Sequence, residues 1–139
     1  MSYLVTRIGK EHTVAAWHRV KEHLKPAIKR SKGRWEPEYV LAALATGRQH
    51  LWVITDESRE VVGAITNECI DYPEKRMLMI HFLGGKDMDK WYVDMSDAMT
   101  EFAREAGCTG IECIARSGFW KWFQNDGFEK TAVFYEKAI

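Results

Sequence analysis

The last third of the chain constrains its fold most. An apolar run of strand length, Met77 to Leu83, leads into Gly84-Gly85. After it come an amphipathic helix, a short strand over Cys108 to Ile114, and the peptide Ser117-Gly-Phe-Trp-Lys-Trp-Phe-Gln-Asn-Asp-Gly-Phe128. Within the helix, Trp91, Met95, Ala98, Met99, Phe102 and Ala106 share one stripe, and Gly107 supplies a stop. This order predicts a Gly-rich turn aimed at a helix N-terminus, where unpaired backbone N–H groups and the helix dipole favour an anion. The two glycines also read as a plain turn, with Asp87 or Asp89 capping the helix. Ser117 predicts the N-cap of a short aromatic helix that Gly127 ends.

Upstream, Tyr3 to Ile8 has the composition of a first strand. Val14, Trp17, Val20 and Leu24 then fall on one helical face, and Pro26 is expected to end or kink that helix. Pro37 suits the start of a second helix, with Val40, Leu41 and Leu44 inward and Gly47 as its stop. Three strands follow at Leu51–Thr55, from Val61 toward Ile70, and at Met77–Leu83. Short polar turns link them, so they predict an antiparallel meander. Thr131 to Tyr135 is expected to close the sheet. The element order is β-α-α-β-β-β-α-β-α-β: an α/β fold with a mixed, mostly antiparallel sheet and helices on both faces.

At 139 residues, 46% hydrophobic and 29% charged, the chain reads as a single domain over 1–139. No apolar run reaches membrane-spanning length and the N-terminus lacks a signal-peptide core. The three cysteines have no metal-ligand spacing, so no metal site and a reduced cytoplasmic setting are expected. The net charge is zero but uneven: residues 1–35 carry nine Lys or Arg against two acids. The basic segment 19–34 (Arg19, Lys21, Lys25, Lys29, Arg30, Lys32, Arg34) reads either as a solvated face or as a surface for a phosphate or an acidic partner. Overall neutrality argues against a dedicated nucleic-acid binder. Trp17, Trp52 and Trp91 fall on core-facing stripes. Phe119, Trp120, Trp122 and Phe123 crowd one short helix, so Trp120 or Trp122 is expected to line a cleft or meet a protein partner. Trp35 either closes over a ligand or plugs the gap between the first two helices.

The element order, with two helices after the first strand, resembles the GNAT (Gcn5-related N-acetyltransferase) fold over nearly the whole chain. Phe119-Trp-Lys-Trp-Phe-Gln-Asn-Asp-Gly-Phe128 is similar to that family's last helix and its Gly-Phe ending, and His81 to Ala106 resembles its cofactor segment. The resemblance implies acetyl-CoA or another acyl-CoA as cofactor. It implies a site along Phe82, Leu83, Gly84, Gly85, Lys86, Asp87 and Met88, joined by Ser117, Phe119 and Phe123, with strand-edge backbone groups for the pantetheine amides. It implies acyl transfer to an amine of a small molecule or a protein.

Three features depart from the family pattern. The glycines come early in the loop, with Asp87 and Asp89 where phosphate charge is expected. Phe123 stands where a tyrosine commonly protonates the leaving thiolate, and phenylalanine has no proton to give. No carboxylate lies in Met77–Leu83 to serve as base; His81 and Glu68 are the candidates. Both also read as ordinary strand residues. Two functions are therefore expected in parallel. One is an N-acyltransferase with a degenerate site. The other is a non-catalytic contact protein, similar through Arg116-Ser-Gly-Phe-Trp-Lys-Trp-Phe to the small GNAT-like proteins of tailed bacteriophages, placed in host cytoplasm or virion.

Overall fold

The computed structural model describes residues 2–139. The elements run β1 (Leu4–Ile8), α1 (Thr13–Lys29), α2 (Pro37–Ala45), β2 (His50–Thr55), β3 (Val61–Asp71), β4 (Arg76–Gly85), α3 (Met88–Glu105), β5 (Gly110–Cys113) and α4 (Trp120–Phe123). The five strands form one sheet in sequential order. β1 to β4 pair antiparallel, and β5 joins β4 in parallel after the α3 crossover.

Helices cover both faces, as the sequence predicts. On one face α1 and α2 bury Trp17, Val20, Leu24, Ile28, Val40 and Leu44 against Leu51, Val53, Ala64 and Phe82. On the other, α3 buries Trp91, Tyr92, Met95, Met99 and Ala103 against Trp52, Ile54, Ile65, Leu78 and Ile80. Residues spaced three and four apart stack along one side of each helix, which is why these stripes are continuous. Trp91 is fully buried, and its indole N–H is satisfied by the Lys86 carbonyl at 2.7 Å.

Four details differ from the sequence reading. Pro26 does not end α1, which continues to Lys29. The proline is exposed while Leu24 and Ile28 on either side are buried. Packing of that stripe offsets the roughly 3 kcal/mol cost of an interior proline. Ser117 does not cap α4. It opens a 3-10 turn, Ser117–Phe119, and Phe119 precedes the helix with no side-chain cap. Asp87 holds the N-cap position of α3, left-handed at φ 59°, but its side chain makes no cap bond, and Asp89 lies in the first turn. Thr131 to Tyr135 forms no strand, and Val133, Phe134 and Tyr135 are exposed. A β-favouring composition needs a partner surface to act on; here the tail is tied instead by Glu136, whose carboxylate meets Arg34 at 2.7 Å and Lys32 at 3.6 Å.

Candidate active site

β4 carries the site, and its geometry begins with a break in the ladder. Its pairing with β3 runs Phe82↔Thr66 and then Ile80↔Asn67, so His81 is the extra residue of a bulge. A bulge interrupts the alternation of faces and re-aims a side chain. Ile80 and Leu83 accordingly pack toward α3, while Phe82 packs in the α1–α2 core. His81 is turned to the same side as Phe82: Trp35 lies against both rings, at 5.7 and 5.9 Å between centroids.

The structure brings the two sequence candidates together. His81 Nε2 lies 2.8 Å from Glu68 Oε1, across the β3–β4 hairpin, and both side chains are only 17% and 16% exposed. A carboxylate accepts, so Nε2 donates and Nδ1 is left as the basic nitrogen of the neutral ring. The other oxygen of Glu68 takes the Arg48 Nε–H at 3.2 Å, and the Arg48 guanidinium lies 5.7 Å over the Trp35 ring. Arg48, in the turn before β2, is not marked by the sequence. It carries no local motif, and only the fold places it on Glu68.

Beside these residues an open groove of about 450 Å³ runs between the loop after α1 and α2. Arg34, Trp35, Tyr39, Thr46 and Arg48 line it together with two alanines, and no acidic side chain does. Trp35 is thus both the wall of the groove and the neighbour of His81.

On the other edge of β4 the strands part. β5 pairs with β4 only from Met77 to Ile80. Beyond Ile80 the bulged His81 has no ladder partner, and Phe82 to Gly85 are paired to β3 alone. Gly84 and Gly85 belong to this strand and are not a turn. A Cβ on Gly84 would collide with the His23 carbonyl of α1, and one on Gly85, at φ 147°, with the Val62 carbonyl. The glycines therefore let α1 and β3 approach β4 closely. The loop proper starts at Lys86, whose amide donates to Val62 O at 2.9 Å and whose ammonium lies 3.5 Å from Glu60. Met88 and Asp89 open α3, where first-turn amides have no intrahelical acceptor. Asp89 turns toward α4: its carboxylate accepts from Trp122 Nε1 at 2.9 Å and lies 3.8 Å from Lys121. Asp87 is exposed.

The far wall of the split is aromatic. Leu83, Phe123, Phe128 and Cys113 line a small apolar cavity of about 10 Å³ between α3, β4, β5 and α4. That volume is on the order of a single water. Phe119 packs on Phe123 at 5.7 Å, while Ser117 sits exposed at the start of its 3-10 turn. Burial pushes the Cys113 thiol up to about 12, so it stays protonated and inert. Tyr92 and Ser96 of α3 both donate to Asp126 Oδ2, at 2.7 and 2.6 Å. Burial first, and then this carboxylate, hold the Tyr92 phenol far above its ordinary range. Nothing in the local sequence pairs these three residues. All four aromatics of the Phe119–Phe123 stretch are half-buried, and lysines cover Trp120 and Trp122.

No protein-family model matches the chain, and none of the curated proteins compared with it does. Solved structures do. A soil-metagenome aminoglycoside acetyltransferase in complex with sisomicin is similar at TM-score 0.71 and 15% identity, covering 99% of this chain and 96% of that one. A protein of Clostridium acetobutylicum described as a predicted acetyltransferase, with acetyl-CoA, matches at TM-score 0.67 and 15% identity over 99% and 96% of the two chains. Glucosamine-6-phosphate N-acetyltransferase from Arabidopsis thaliana matches at 0.65 and 7%, over 99% of each. The fold is that of the GNAT acetyltransferases. At these identities the likeness is one of architecture, and it includes the helices on both faces of a mostly antiparallel sheet. No helix among the described residues is long and apolar enough to cross a membrane.

Proposed function

We propose that this GNAT-fold chain is an acyl-CoA-dependent N-acyltransferase in which His81 is the general base and Glu68 its orienting partner. One observation carries the reading: the bulged His81, hydrogen-bonded to Glu68 at 2.8 Å, sits where β4 and β5 part. The imidazole lies against Trp35, which walls a groove of about 450 Å³, and its own strand has backbone groups without a β5 partner.

His81 takes a proton from the acceptor amine at Nδ1, and Glu68 holds the ring in the required tautomer and stabilises the imidazolium that forms. Arg48 holds the Glu68 carboxylate in place through its Nε–H. The residues present fit an acyl-CoA. The backbone of Phe82 to Gly85 offers unpaired strand-edge groups, and the amides of Met88 and Asp89 offer anion donors at a helix N-terminus. Lys86 adds a cation, and Phe119 and Phe123 an apolar wall. The aspartates do not oppose this assignment. Asp89 is committed to Trp122 and Lys121, and Asp87 is solvated. Bound there, acyl-CoA supplies the thioester acyl group that the amine receives. Phe123 gives no proton, so the site lacks a side-chain acid at that position.

Thermal melting with acetyl-CoA tests the proposal. A ligand at a hundredfold excess over its dissociation constant stabilises by about 2.7 kcal/mol, so the transition rises by several degrees if the cofactor is held. Phe123 also favours a second reading, a GNAT-fold contact protein without catalysis, and melting unmoved by acetyl-CoA selects that one.

A further inference from the structure

The groove beside His81 has a charge pattern that specifies its occupant. Its only charged lining side chains are two guanidiniums, Arg48 and, at the mouth where the tail meets the groove, Arg34; Lys32 shares the Glu136 carboxylate with Arg34. The Glu68 carboxylate is covered: one oxygen takes Arg48 and the other His81. Trp35 and Tyr39 give the groove an apolar, aromatic body.

The chain also supplies a stand-in for the ligand. Its own tail lays Glu136 on Arg34 at 2.7 Å and on Lys32 at 3.6 Å, with the Phe134 ring 4.9 Å from the same guanidinium. Arg34 first, and Lys32 second, hold the Glu136 carboxyl below the usual carboxylate range. An anionic group beside an aromatic body is thus already seated at this mouth. The pair is exposed on both sides, so a competing anion can displace it.

We infer that the acceptor is a small primary amine that also carries an anionic group, a carboxylate or a phosphate. Its anion rests on Arg34, its body on Trp35, and its amine at His81. The inference rests on the transferase reading of the same site. In the reaction a bond forms between the amine nitrogen and the acyl carbon of acyl-CoA as the carbon–sulfur bond breaks. The amine proton passes to His81 Nδ1, and the sulfur leaves as the thiolate of CoA. A polycation such as sisomicin, the ligand of one structural neighbour, meets two like charges on the groove lining, and the carboxylate beside it, Glu136, is already paired with Arg34 and Lys32.

The test is a comparison of initial rates of CoA release from acetyl-CoA. The acceptors are L-phenylalanine and L-glutamate as carboxylate amines, glucosamine 6-phosphate as a phosphate amine, and sisomicin and spermidine as polycations. At least one anionic amine is expected to exceed both polycations in kcat/KM by tenfold or more. Whether it is a carboxylate or the phosphate identifies the source of the anion. For the preferred amine, Arg34→Ala is expected to raise KM about tenfold with kcat within twofold, and Glu136→Gln to lower KM about twofold by freeing Arg34. Equal or better turnover of sisomicin or spermidine overturns the inference, as does an Arg34→Ala enzyme with unchanged KM. Turnover is read together with acetyl-CoA melting and with titration of the Trp35 indole N–H resonance by the same amines. If acetyl-CoA fails to bind but an anionic amine moves Trp35 and spermidine does not, the transferase reading falls and the anion site stands. If no anionic amine moves Trp35, the anion site falls whatever the melting shows.

Discussion

The two sides of the sheet hold their polar groups in different ways. On the α1–α2 side, Arg48, Glu68 and His81 come from the approach to β2, from β3 and from β4. Three consecutive antiparallel strands therefore fix their spacing. On the α3–α4 side, Tyr92 and Ser96 are fixed on α3, but their partner Asp126 lies just past a four-residue helix, beside an edge strand of four residues. The first arrangement is pre-organised by the ladder, as a proton-accepting pair needs. The second sits on sparse pairing, and local opening draws on such regions. On the proposed function, the more rigid side is the one that would move a proton, and the looser side the one that would admit a long cofactor.

The largest effect should come from forcing the rigid side apart. Gly84→Ala pushes a methyl group into the His23 carbonyl of α1. We expect about 3 kcal/mol of lost stability, read as a lower denaturant midpoint at unchanged slope. A smaller effect is expected on the other side. Tyr92→Phe removes one donor from Asp126 and should cost about 1 kcal/mol, with faster amide exchange confined to residues 117–128. Equal exchange changes in β3 would erase the distinction between the sides. Phe134→Ser, in the tail that joins no strand, should alter stability by less than about 0.5 kcal/mol. The smallest effect is a pH dependence at the sheet's α3 face. Desolvation, and then Arg7, lower the pKa of His50 from 6.5. The neutral ring is the native form, so its contribution is complete above pH 6.5 and is lost as pH falls through the depressed folded value. His50→Gln should flatten that acid limb of the stability profile.

Much of this architecture is legible in the sequence because burial writes it there. The strands around Leu51–Thr55 and Met77–Leu83 are apolar on both faces because helices cover both. Trp91, Met95 and Met99 keep helical spacing because one face meets the sheet. Thr131–Tyr135 misleads because strand composition describes a side chain's fit to a partner, and the tail has an ion pair with Arg34 and Lys32 in place of one. Gly84 and Gly85 mislead in another way. A glycine marks a lack of room for a Cβ, and close strand–helix approach demands that as much as a turn does. His81 and Glu68 are visible as titratable types, but their pairing depends on a hairpin register shifted by a bulge, which periodicity does not encode. Arg48 and the Tyr92–Asp126 contact are set by tertiary packing alone.

The central claim is that His81 accepts the acceptor's proton while Glu68 orients it. The most direct measurement is the steady-state rate of CoA release with the preferred amine for His81→Ala beside the unaltered protein. General-base loss predicts a fall in kcat of at least about a hundredfold, with acetyl-CoA melting shifts equal in the two proteins. An undiminished rate in His81→Ala, with the cofactor still bound, would contradict the assignment.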